Sequence, residues 1–151
     1  MISNAAMIIA LGSDHAGLPL KRALLAALEA GGHTLLDAGT HDEASVDYPD
    51  FAHDVAAKVT SGEAVFGVLV CGSGVGMAIA ANRHPEIRAV VLHNTTEARL
   101  TRAHNNANIA CFGARTTGVE VALDALAAFL DTPFDGGRHE RRLAKIGSAL
   151  A

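Results

Sequence analysis

Val65-Phe-Gly-Val-Leu-Val70 runs directly into Cys71-Gly72-Ser73-Gly74-Val75-Gly76 and then into Met77-Ala-Ile-Ala-Ala-Asn82. The first segment is apolar and β-branched without alternation, which predicts a strand buried on both faces. The last segment reads as a helix. A glycine-rich turn from strand to helix aims backbone N–H groups at one spot, with the positive end of the helix dipole behind them. The stretch therefore predicts an anion site with the Cys71 thiol at its lip, and that pairing points to an enzyme.

Outward from this unit the same alternation recurs. Met7 to Leu11 is a short apolar run, and Leu18 to Ala30 is a helix with Pro19 in its first turn and a stop at Gly31-Gly32. His33 to Leu36 reads as a strand and Tyr48 to Thr60 as a helix. Beyond the glycine turn, Ile87 to Leu92 and Ala107 to Phe112 read as strands, Thr95 to His104 and Val119 to Leu130 as helices. Arg138 to Leu150 is left over as an arginine-rich terminal helix. This β-α alternation predicts a three-layer α/β/α Rossmann-like domain with a five-stranded parallel sheet and an extra C-terminal helix. Such sheets bind ligands at the carboxyl ends of their strands. A single domain over residues 7–151 is expected, after a short leader at residues 1–6.

The 151 residues are 50% hydrophobic and 19% charged, a composition that builds a full core and argues against disorder. A net charge of −4 argues against a nucleic-acid binder, which presents a basic face. The sequence contains no apolar run of the roughly 18 residues that span a bilayer, and no signal-peptide pattern, so a cytoplasmic protein without a membrane partner is expected. Cys71 and Cys111 end separate predicted strands and are read as reduced thiols, Cys111 as structural.

Titratable residues gather after each strand: Asp14 and His15, then Asp47-Tyr48-Pro49, then the Cys71 loop, then His93-Asn94, with Arg115 after the fifth strand. His104-Asn105-Asn106 follow the fourth helix. Met77 stands where a dinucleotide fingerprint requires its third glycine, and no Walker A loop is present, which argues against NAD and ATP. The eight histidines contain no H-E-x-x-H and the cysteines no C-x-x-C, so neither a metal nor a cofactor is expected. His15 and His104 could meet in space for acid–base work, whereas His33, His41, His53 and His84 read as surface or loop residues. A ring of N–H donors beside Cys71 favours thiolate, although a small apolar residue closing a strand is the bland alternative. Arg138, Arg141, Arg142 and His139 after Gly136-Gly137 read either as a solvated helix face or as an anion clamp.

Six motifs standing in order resemble the type B ribose-5-phosphate isomerases, a family that includes the galactose-6-phosphate isomerase subunits. They are Gly12-x-Asp14-His15-x-Gly17, Asp47-Tyr48-Pro49, Cys71 to Gly76, Arg102-x-His104-Asn105-x-x-Asn108, Phe112-Gly113-x-Arg115 and Gly136-Gly137-Arg138-His139-x-x-Arg142. The resemblance covers about Met7 to Ile146. It implies a metal-free aldose–ketose isomerase of pentose phosphate metabolism working through a cis-enediolate, with Cys71 moving the proton between C1 and C2. Ser73 then assists proton movement between the oxygens, and the amides of Gly72, Gly74, Val75 and Gly76 stabilise the oxyanion. His104 opens the sugar ring, Asp14 and Tyr48 lie near it, and Asn105 contacts its hydroxyls. His15, Arg115, Arg138 and Arg142 grip the phosphate with His139 nearby. The family also implies a homodimer or dimer of dimers, in which Arg138 and Arg142 serve the partner's site.

Alternative substrates are a hexose phosphate such as allose or galactose 6-phosphate, or a tetrose phosphate. A non-catalytic sugar-phosphate sensor on the same fold is the alternative outside enzymology, and retention of both Cys71 and His104 speaks against it. A cysteine phosphatase requires arginine where Met77 stands.

Overall fold

The computed structural model describes residues 5–148. Strands and helices alternate as β1 (Ile8–Ser13), α1 (Leu18–Ala30), β2 (Thr34–Asp37), α2 (Tyr48–Thr60), β3 (Phe66–Cys71), α3 (Val75–Ala81), β4 (Ala89–Val91), α4 (Thr95–Asn105), β5 (Ile109–Gly113), α5 (Val119–Asp131) and α6 (Arg138–Ser148). The expected leader at residues 1–6 and the end of the terminal helix lie partly outside the described residues. The five strands are parallel in the order β2-β1-β3-β5-β4. This is the expected three-layer arrangement, and β3, the strand that leads into the glycine turn, is central and buried at every position.

Two apolar layers cover the sheet. On one face Leu20, Leu24 and Leu28 of α1 and Ala122, Leu126 and Phe129 of α5 pack on Val68, Val70 and Phe112. On the other, Ala52 and Val55 of α2 and Met77 and Ala81 of α3 pack on Ala10, Leu69 and Cys111. Helices on both faces explain why the strand sequences show no alternation.

Three sequence expectations change in detail. The strand ends run further: β1 reaches Ser13 and β3 ends on Cys71, where the register pairs Cys71 with Gly113. The helix after the turn starts at Val75 instead of Met77, so Val75 and Gly76 are its first-turn residues. His33, expected at the surface, is only 6% exposed: its Nδ1 accepts the Met7 amide at 3.1 Å, tying the entry of β1 to that of β2, and its Nε2 is buried without a partner.

Candidate active site

The strand order reverses between β1 and β3, and the loops leaving these two strands meet there. Asp14 donates its amide to the Val70 carbonyl at 3.3 Å, and its carboxylate accepts the Gly17 amide at 2.9 Å, leaving the side chain 8% exposed. Beside it β3 delivers Cys71. The chain then turns through Gly74, whose φ of +80° is a left-handed conformation that glycine adopts at least cost. Within the turn the Gly74 amide donates to Cys71 Sγ at 3.1 Å and the Val75 amide to Ser73 Oγ at 3.3 Å. Val75, Gly76 and Met77 open α3, where first-turn amides have no intrahelical acceptor.

A cavity of about 570 Å³ opens at this point, lined by Asp14, Tyr48, Cys71, Gly72, Ser73, Val75, Gly76, Arg115 and Thr116, with Ile79 at its margin. Its polar groups are a buried carboxylate, a thiol, a phenol, two hydroxyls and a guanidinium. Tyr48 packs against Gly76: a Cβ at position 76 would overlap the Tyr48 ring, so glycine lets the phenol lie there. Arg115 follows β5, its amide bonded to the Gly72 carbonyl at 2.9 Å, and its guanidinium lies along Gly72. Sequence reasoning missed Thr116 and Ile79, which it had no motif to flag; Thr116 directly follows Arg115.

A second group forms elsewhere. The rings of His104, at the end of α4, and His139, at the start of α6, stack with centroids 4.5 Å apart and planes 16° apart. The Asp135 amide bonds to the Ala103 carbonyl at 3.0 Å, holding the α5–α6 turn against α4. A ligating atom from each of His104, Asp135 and His139 falls within 4.8 Å of the others, the one potential metal-binding trio among the described residues. The neighbouring charges oppose a cation there. Loss of water contact, then His104, Arg138 and Arg142, together lower the His139 pKa, against the opposing pull of Asp135. Asp135 went unnoticed in the sequence, although its spacing of four from His139 was available.

The predicted site residues therefore fall into two groups. Asp14, Tyr48, Cys71, Gly72, Ser73, Val75, Gly76 and Arg115 share the cavity, while Gly74 lies buried behind it; His104, Arg138, His139 and Arg142 cluster at the α4–α6 junction and do not line it. Asn105 instead borders a larger cavity of about 680 Å³ between β4 and Leu143 and Ile146 of α6, which contains no nucleophile. His15 and His104 are not brought together: His15 Nδ1 accepts the Val46 amide at 3.2 Å.

Some motif residues turn out to be structural. Arg102 is 7% exposed, donates to Ala107, Asn106 and Thr132, and lies 4.8 Å from the Phe66 ring centroid. Asn108 accepts the Arg88 amide at 2.8 Å. Asn94 caps α4: its Oδ1 accepts the Glu97 amide at 2.8 Å, and the Glu97 carboxylate in turn accepts the amide of the preceding His93 at 2.7 Å. Cys111 is fully buried, and burial, with Cys71 nearby, pushes its thiol pKa far up, as expected of a structural cysteine.

The same arrangement of chain is found in known proteins. The sequence model of the Ribose/Galactose Isomerase family matches residues 9–146. The chain is 43% identical over 138 residues to ribose-5-phosphate isomerase B of Escherichia coli K12, covering 91% of this chain and 93% of that one. It is 38% identical over 141 residues to D-erythrulose-4-phosphate isomerase of Pectobacterium atrosepticum, covering 92% of each. The structure of a ribose 5-phosphate isomerase from Thermotoga maritima superimposes with a TM-score of 0.94 at 49% identity, covering 95% of this chain and 99% of that one. Fold, strand order and sequence agree over nearly the full length, and the chain belongs to the Ribose/Galactose Isomerase family.

Proposed function

We propose that this protein interconverts ribose 5-phosphate and ribulose 5-phosphate by proton transfer through a cis-enediolate, with Cys71 as the base. The observation that carries the reading is the Cys71 thiol at the head of a cavity that also holds a buried carboxylate, a phenol and a guanidinium. In the open-chain aldose the thiolate takes the C2 proton while O1 gains charge. The same thiol returns the proton to C1 as the C2 hydroxyl becomes the ketone, its own proton passing by way of the Ser73 hydroxyl to O1, which ends as the C1 hydroxyl. The first-turn amides of α3 and the Ser73 hydroxyl are positioned to stabilise charge that develops on the oxygens, where preorganised donors act most strongly. Asp14 and Tyr48 hold the sugar and Arg115 and His15 its phosphate. Proton transfer of this kind needs no cofactor.

The second cluster completes the site from a second copy of the chain. His104, the proposed ring-opening group, stacks on His139 and so moves with the α6 arginines, and this cluster does not line the Cys71 cavity. A homodimer that places one chain's His104, Asn105, Arg138 and Arg142 over the other's Cys71 assembles ring opening, proton transfer and phosphate grip together. A dimer of dimers preserves the same contact. The chain then works as a cytoplasmic enzyme on a small phosphorylated sugar.

A tetrose phosphate is the second reading, favoured by the similarity to the erythrulose-phosphate enzyme. Steady-state assays on ribose 5-phosphate, allose 6-phosphate, galactose 6-phosphate and erythrose 4-phosphate separate them. The highest kcat/KM is expected with ribose 5-phosphate. A higher value with another sugar moves the substrate and keeps the chemistry, whereas binding of all four without turnover makes the protein a sensor.

A further inference from the structure

Lys21 stands out among the charged residues because it is 1% exposed and takes no part in the chemistry above. Its Nζ donates to Asp37 Oδ1 at 2.7 Å and to the Thr40 carbonyl at 2.6 Å. The next residue, Arg22, donates to the His41 carbonyl at 3.1 Å. Two consecutive cations of α1 thus hold the start of the loop that joins β2 to α2. Asp37 Oδ1 also accepts the Gly39 amide at 3.0 Å. Gly39 and Thr40 are bonded to Ser13 in both directions, at 2.7 and 2.8 Å, so the loop is tied to the end of β1.

The far end of the same loop meets the substrate groups. The Val46 amide donates to His15 Nδ1 at 3.2 Å, and Tyr48 begins α2 two residues later. A ring that accepts at Nδ1 carries its proton on Nε2. The loop backbone therefore selects the tautomer in which Nε2–H is the donor offered to a phosphate oxygen. A buried ammonium is costly unless it is paired, and leucine would fill this α1 position more cheaply. What leucine could not do is hold a carbonyl and a carboxylate of the loop.

We propose that Lys21 is a positioning residue: by fixing the path of residues 38–47 it sets the His15 tautomer and the placement of Tyr48. The kinetic part of this rests on the isomerase reading; the tautomer part does not. The test is long-range ¹H–¹⁵N NMR of histidine-labelled protein, with melting curves and ribose 5-phosphate kinetics, on wild type and Lys21→Met. Wild type is expected to show His15 in the Nε2–H form alone. Lys21→Met is expected to stay folded, to show mixed His15 tautomers, and to raise KM about tenfold while kcat stays within about threefold. An Nδ1–H tautomer in wild type overturns the proposal, as does a folded Lys21→Met with unchanged spectrum and KM. If Lys21→Met does not fold, Asp37→Asn loosens the same anchor from its half-exposed end; an unchanged His15 signal there also overturns it. Wild type that shows the expected tautomer but isomerises no sugar would refute the enzyme reading and leave the role of Lys21 standing.

Discussion

The Gly74 amide points at the sulfur of Cys71, 3.1 Å away, and Gly74 itself turns the chain on into α3 through a φ of +80°. One bond thus joins the backbone device read from the sequence to the atom proposed to carry the chemistry. It places a donor where sulfur gains charge, at the mouth of the cavity.

Gly74→Ala tests that link. A side chain at this φ is strained, and its Cβ would lie 3.0 Å from the carbonyl carbon of Phe112 in the neighbouring strand. A loss of about 1–3 kcal/mol in stability is expected, read as a lower melting temperature, together with lower kcat as the amide leaves the sulfur. Wild-type melting and kcat would show the turn is not needed.

Gly76→Ala acts on a different group. Its Cβ would displace the Tyr48 ring, which is 40% exposed and free to swing outward. Stability should change little, by about 0.5–1 kcal/mol, and KM should rise. An unchanged KM would remove Tyr48 from sugar binding.

The two thiols should differ in reactivity. Cys71 lines the cavity, whereas Cys111 is fully buried with its pKa pushed far up, and the thiolate is the reactive form. Brief treatment of native protein with iodoacetamide should modify Cys71 alone, with activity lost in step and sugar phosphate protecting it. Mass spectrometry showing modification first at Cys111 contradicts this assignment.

His139 should titrate below the ordinary histidine value of about 6.5, since desolvation and the neighbouring His104, Arg138 and Arg142 all disfavour its cation. Removing a positive neighbour works in the opposite direction, so Arg142→Ala should raise the midpoint. The native state binds this proton less readily than the unfolded chain, so the group weakens folding as pH falls below its ordinary value. NMR titration reads the midpoint directly. An Arg142→Ala midpoint at or below that of wild type would place the arginine away from the imidazole.

Sharing of sites between subunits predicts complementation. Cys71→Ala and Arg142→Ala should each be weak alone, and co-refolded mixtures should regain about a quarter of wild-type activity, the statistical share of intact sites under random dimer assembly. Mixed dimers with no gain would confine each site to one chain.

Much of this was legible in the sequence because local rules and tertiary placement agree. The unalternating apolar run before Cys71 requires cover on both faces, and β3 has it. The glycines at 74 and 76 announced a turn, but the close approach at Gly76 did not show, since the ring that makes it, Tyr48, lies 28 residues away. Resemblance, not residue chemistry, named the sugar and the reaction. Burial decided by tertiary contact stayed hidden: His33 reads as polar, yet it pins two strand entries together. Lys21 belongs to no motif, yet its helix face meets the loop and the charge ends up enclosed. His104 and Arg102 share one motif, but one stacks on a second histidine and the other braces the core.

Cys71 as the proton-transfer base is the central claim, and isotope exchange at carbon tests it without relying on product build-up. Wild type and Cys71→Ala would be incubated in D₂O containing EDTA with ribose 5-phosphate, following the C2 proton by NMR. Wild type should exchange C2–H and form ribulose 5-phosphate. Cys71→Ala should still bind the sugar phosphate but lose exchange by a factor of about 10²–10⁴ or more. Exchange at the wild-type rate without the thiol would contradict the account.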